Sequence, residues 1–166
     1  MVLCQACATQ QSSQNLYDAM SIEELKQNAS ELHPSGIYML SGKLLKNGNK
    51  DDSVFWFYVG QLRYRVYLAA NPNLDPSGDP ALFGSLNATL GQSINEYAGG
   101  NPDTWVKQIE KAKKWDADNP NKLTPKENNA LAYNQVLSGL DQMIKHIGQN
   151  KDSIRKQRAA NGLENR

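Results

Sequence analysis

The sequence predicts an all-α protein, a compact bundle of about five to six helices. Three observations carry that expectation. Capping residues or prolines mark helix starts at Ser21, Pro34, Pro80, Pro102 and Thr124–Pro125. Stops follow at Gly48, Pro72, Gly91, Pro120 and Gly148. No useful length of chain alternates apolar and polar residues between turn signals, the pattern a half-buried strand requires.

Each element follows from its own residues. The first, "SIEELKQNASEL", opens on Ser21 with Glu24 three positions on, a capping box, and Met20 with Leu25 can staple its entrance. The second begins at Pro34, where a missing N–H costs nothing, and ends at Gly48 after "IYMLSGKLLKN". The third, "DDSVFWFYVGQLRYRVYLAA", is stopped by Pro72. At helical spacing Phe55, Tyr58, Val59, Leu62, Val66 and Ala69 make one apolar face, which Val54, Phe57, Tyr64 and Leu68 widen. A helix so broadly apolar belongs at the centre of the fold. Its remaining stripe carries Trp56, Gly60, Arg63 and Tyr67, and the bare Cα of Gly60 admits a close neighbour.

The segment "NPNLDPSGDP", with three prolines and one glycine, then separates a front half from a back half but is too short to link independent domains. Behind it, Pro80 and Pro102 open helices that Gly91 and Pro120 close, and Thr124 with Glu127 repeats the capping box before a long helix ending at Gly148. In the Pro102 helix Trp105, Ile109, Ala112 and Trp115 share a face, while Lys107, Lys111 and Lys114 line a solvated one. The basic, weakly apolar "KDSIRKQRAANGLENR" reads as a frayed helix or disorder. The chain divides into a signal remnant and tether at 1–15, one helical domain at 16–149 and a charged tail at 150–166.

Composition narrows the function classes. Eighteen Lys and Arg against seventeen Asp and Glu leave a net charge of +1, which lacks the positive field of a nucleic-acid binder. A chain of 166 residues buries roughly 70% of its unfolded surface, so neither a metal nor a disulfide is needed for folding. The longest apolar run is broken by Gln61, Arg63 and Arg65, short of the ~20 residues of a membrane-spanning helix. Cys4 and Cys7 form a C-x-x-C, but His33 and His146 lack zinc-finger spacing and no strand precedes the pair as in a thioredoxin site. His33 stands at a helix entrance, and His146 lies in a last turn, where a cation suits the helix dipole. Neither G-x-S-x-G nor H-E-x-x-H occurs. No catalytic residue, metal ligand or cofactor is assigned, and the chain reads as non-enzymatic.

Two stretches resemble known families. Residues 33–70, "HPSGIYMLSGKLLKNGNKDDSVFWFYVGQLRYRVYLAA", resemble one repeat of the Sel1-like subclass of tetratricopeptide hairpins, with Leu40, Gly42, Gly48, Ser53, Trp56 and Phe57 in corresponding order. The resemblance implies a helical hairpin within a compact bundle rather than a long array, since solenoids need about three repeats. "ACATQQSSQ" resembles the end of a bacterial lipoprotein signal, in which Ala6 precedes an acylated Cys7 and a polar tether follows. That implies a lipid-anchored, periplasm-facing protein of the cell envelope, whose contact with the membrane runs through the Cys7 lipid alone. The other reading of the start is a cytosolic tail.

Together these readings suggest an envelope domain that binds a protein partner through Trp56, Arg63 and Tyr67, the aromatic and arginine chemistry of hot spots. Its most specific version is an immunity protein that neutralises a secreted toxin. The structural alternative has Arg63 stacked on an aromatic ring and reaching a carboxylate such as Glu96 or Asp116. A second function class is a binder of small molecules or peptidoglycan fragments, or a weak hydrolase, using an aromatic-lined cavity. A third is a structural assembly subunit.

Overall fold

A computed structural model describes residues 16–166, whose regular secondary structure is all helical with no strand among them. Residues 16–19 are helical and lead into α1 (Ile22–Gln27), α2 (Pro34–Lys46), α3 (Lys50–Ala70), α4 (Asp79–Gly99), α5 (Pro102–Asp118), a 3₁₀ turn (Lys126–Asn128), α6 (Ala130–Gln149) and α7 (Lys151–Ala160). The bundle thus has seven bounded α-helices among the described residues, one or two beyond expectation, because the tail adds α7.

The start signals translate into caps. Ser21 accepts the Glu24 amide while the Glu24 carboxylate accepts the Ser21 amide, closing the capping box. Pro34 and Pro102 sit at the first positions of their helices behind His33 and Asn101, whose side chains accept from Ser35 and Thr104. Gly48, at φ +79°, ends α2 in a Schellman turn: Gly48 donates to Leu45 and Asn49 to Leu44.

The α2–α3 hairpin is antiparallel, with Ser41 opposite Ser53 and Tyr38 against Gly60. The two serines are fully buried and exchange hydroxyl-to-carbonyl hydrogen bonds of 2.8 and 2.7 Å, which satisfies both hydroxyls inside an apolar core. Gly60 admits the Tyr38 ring rather than a second backbone: a Cβ there would stand 3.0 Å from Tyr38 Cδ2. As its composition demanded, α3 is central, touching α2, α4, α5 and α6. Both halves of the chain pack on it, so the turn-rich connection lies within one domain.

Four boundaries differ from expectation. The first helix ends at Gln27 instead of running to Leu32, because the Ala29 and Ser30 carbonyls turn to accept from Arg63 Nη1 and the Lys122 amide. Gly91 is a contact and not a stop: α4 continues to Gly99, and a Cβ at Gly91 would meet Phe57 Cζ at 3.1 Å. The capping box at Thr124 does not form. Lys126 is drawn to the carbonyls that end α5, and α6 starts only at Ala130. The tail is docked rather than loose, with α7 packed on α4, α5 and α6. Arg158 Nη1 and Arg166 Nη2 donate to the Glu96 and Tyr97 carbonyls at 2.7 and 2.6 Å, placing cations at the negative end of α4.

Candidate functional site

The three residues proposed from the sequence do not share a surface. Arg63 lies inside the fold at 1% exposure, although it carries a permanent charge. Every nitrogen of its guanidinium donates: Nε to Asp116 Oδ1 at 2.8 Å, Nη1 to the Ala29 carbonyl at 3.1 Å, and Nη2 to the Asn119 and Pro120 carbonyls at 3.3 and 2.9 Å. It also stacks 4.7 Å from the Trp115 ring centroid. This is the structural alternative foreseen for it, with Asp116 as the carboxylate. Arg63 therefore leaves the list of surface residues, because a guanidinium taken from water must fill its donors internally. One side chain ties α1's exit, α3 and the end of α5 together.

Trp56 and Tyr67 lie eleven positions apart on α3, about 16 Å along the axis. Tyr67 is half-buried at the far end, edge-on to His33 at 5.4 Å. Trp56 is 6% exposed and meets both Trp115 and Phe55 edge-to-face at 5.0 Å. Cys7 lies outside the described residues.

A groove of about 490 Å³ opens above Trp56. Its floor is Phe55, Trp56 and Trp115, and its rim carries Lys26, Lys111 and Lys114 with Asp52 and Asp118. The walls follow from helix periodicity: Lys111, Lys114 and Trp115 recur at spacings of three and four on α5, as do Asp52, Phe55 and Trp56 on α3. Lys114 is held by Asp118 at 2.8 Å and Lys26 by Glu23 at 3.6 Å. Lys111 is exposed and forms no ion pair among the described residues. Sequence reading treated Lys111 and Lys114 as solvent-facing and put Trp115 on the apolar face with Trp105, Ile109 and Ala112. The signal available was two tryptophans and a phenylalanine on helices whose other faces were already filled, but nothing in the sequence shows which two helices meet.

A second polar cluster surrounds His33. Its Nδ1 accepts from the Ser35 amide at 3.3 Å and lies 2.8 Å from Ser35 Oγ, while Nε2 is 3.2 Å from Asp79 Oδ1. Tyr64 donates to the same Asp79 oxygen at 2.6 Å. Burial holds the imidazole below its ordinary value, outweighing the upward pull of Asp79. A serine, histidine and aspartate in line invite comparison with a nucleophilic triad. Here the serine is 7% exposed and its own amide occupies the histidine nitrogen. The cluster caps a helix rather than presenting a nucleophile.

Polar contacts also join α3 to its neighbours. Tyr38 and Gln61 both donate to Asn87 Oδ1 at 3.1 Å, Tyr58 donates to Asn95 Oδ1 at 3.0 Å, and Trp105 Nε1 donates to Tyr58 at 2.8 Å. No group of three or more His, Cys, Asp or Glu side chains among the described residues is placed to hold a metal ion. No helix among them is long and apolar enough to cross a membrane. Comparison with protein families, curated proteins and solved structures finds no match for this chain.

Proposed function

We propose that this chain is a non-enzymatic protein-binding module whose recognition surface is the groove between α3 and α5. The observation that supports it is the aromatic floor of Phe55, Trp56 and Trp115 beneath a lysine-rich rim. Rigid aromatic rings offer large contact area at little entropic loss, and they dominate binding hot spots. The occupant is a segment of a partner protein bearing one bulky apolar side chain flanked by carboxylates. The apolar group would cover the floor, and a flanking carboxylate would meet Lys111, the rim lysine without an ion pair among the described residues. Of the residues named from sequence, Trp56 stays in the site, Arg63 supports it from behind Trp115, and Tyr67 stands apart from it.

The envelope address and the narrower reading as an immunity lipoprotein rest on Cys7. The mass of the N-terminal peptide from the native host tests them: acylation supports the address, and an unmodified Cys7 removes it.

The groove is tested by titrating the protein's tryptophan fluorescence with peptides that share one leucine or phenylalanine anchor and carry acidic, neutral or basic flanks. Saturable binding of the acidic series, weakened about thirtyfold by Phe55→Ala and severalfold by Lys111→Glu, is expected. Both residues can be changed without opening the core, since Phe55 is half-buried and Lys111 exposed. Equal binding of all three series, or none, overturns the reading. Saturation by a peptidoglycan fragment alone would transfer the groove to the small-molecule class.

A further inference from the structure

His33 joins two helices through two ring nitrogens with incompatible duties. A backbone N–H can only donate, so Nδ1, 3.3 Å from the Ser35 amide, must present its lone pair. The ring hydrogen of the neutral form therefore sits on Nε2, directed at Asp79 Oδ1 3.2 Å away. In that tautomer the side chain caps α2 and at the same time holds the first residue of α4.

We propose that His33 is a proton-gated latch: the neutral ring holds both helices, and a proton taken from solvent onto Nδ1 ends the cap on α2 while leaving the contact to α4. After that proton arrives two N–H groups face each other, and the Ser35 amide has no acceptor. Ser35 Oγ can accept from the new Nδ1–H, but it does not replace the lost acceptor for its own amide. The Nε2 side behaves oppositely, because an imidazolium attracts Asp79 more strongly, and Tyr64 keeps that carboxylate in place at 2.6 Å. Acid thus removes the cap on the Ser35 amide while leaving the ring bonded to Ser35 Oγ and Asp79.

The surroundings set the direction of the response. Asp79 of α4 is the charged group that contacts the ring, and it favours the protonated form. From α3 the rings of Tyr64 and Tyr67 stand edge-on at 5.3 and 5.4 Å, and from the preceding helical turn Tyr17 bonds the His33 backbone. These three tyrosines have their ionisation pushed above the ordinary value, so in acid they stay neutral. Ser35 of α2 contributes no charge. Burial is the larger influence and holds the imidazole below its ordinary value, so the folded state binds the proton less readily than the unfolded chain. The stability His33 supplies is complete above the ordinary histidine range and is lost as pH falls through the folded value.

The test is solution NMR on the full chain from about pH 7.5 to about pH 5, following the His33 ring titration and the exchange of the Ser35 amide, corrected for its intrinsic pH dependence. Protection of Ser35 is expected to fall about fivefold or more in step with the ring, the loss of one helix cap. His33→Asn keeps a capping oxygen that does not titrate, so its Ser35 protection should stay level. Asp79→Asn removes the charge that favours the imidazolium and should move the transition to lower pH. Unchanged Ser35 protection while the ring titrates, or the same acid loss in His33→Asn, overturns the latch.

Discussion

Truncating Arg63 to alanine separates its two possible roles. The change leaves the Asp116 carboxylate, 3% exposed, with Lys126 Nζ at 3.7 Å as its nearest remaining cation. The carbonyls of Ala29, Asn119 and Pro120 lose a donor as well. Removing one member of a buried pair costs about 3–5 kcal/mol, because the partner's desolvation is no longer offset. Each orphaned carbonyl would add about 1–3 kcal/mol if water stayed out. The space vacated by a guanidinium admits water, so the lower figure of about 3–5 kcal/mol in total is expected. That is a large share of the ~5–15 kcal/mol available to a domain of this kind. Urea unfolding followed by far-ultraviolet circular dichroism should show the midpoint falling by about 2 M at unchanged slope. Arg63→Met combined with Asp116→Leu should recover much of the loss, since neither charge is then buried. If Arg63→Ala unfolds within about 1 kcal/mol of the parent, the network is not a keystone and the structural account of Arg63 is wrong.

Two further outcomes follow from packing and titration. Gly60→Ala places a methyl 3.0 Å from the fully buried Tyr38 ring and should destabilise by about 1–2 kcal/mol despite the better helix propensity of alanine, whereas Gly84→Ala, with nothing within 4 Å, should stabilise by about 0.5–1 kcal/mol; urea midpoints for the pair check both signs. Burial pushes Tyr133 up to about 12 and raises Tyr38, Tyr58 and Tyr64 as well, so the unfolded chain releases these protons first. Stability should therefore be intact below about pH 10 and decline as pH rises towards 12, with the absorbance of these four tyrosinates appearing together with loss of helix; ionisation of most of the seven tyrosines at pH 10 in a still-helical protein would contradict this.

Much of the fold is legible in one dimension because helix ends are local events. Ser21 with Glu24, Pro34 behind His33, Pro102 behind Asn101 and Gly48 in its left-handed turn are each decided within about four residues, and each stands where the sequence places it. The breadth of α3's apolar surface is likewise a property of its own residues, and it foretold a central helix. The boundaries that moved involve partners far away in sequence. Ala29 is turned out of a helix by Arg63, thirty-four positions on, and Gly91 survives mid-helix because Phe57, thirty-four positions earlier, needs its space. Lys126 gives up a local helix start for carbonyls at the end of α5.

The candidate site divides the same way. Periodicity put Trp56 and Arg63 on one stripe of α3, and residue chemistry alone allowed Arg63 either of two roles. Exposure to a partner or burial against Asp116 depends on whether α5 passes over that stripe, and that is settled by packing across fifty-three positions. The groove has the same origin, since Trp56 and Trp115 become neighbours only when α3 and α5 dock. The amino-acid sequence by itself determined the helical class, most helix starts and the centrality of α3, because capping and amphipathicity act over a few residues. Only the tertiary structure decided which charge is buried, which glycine is a contact and where an aromatic floor opens, because those depend on which distant side chains share one volume.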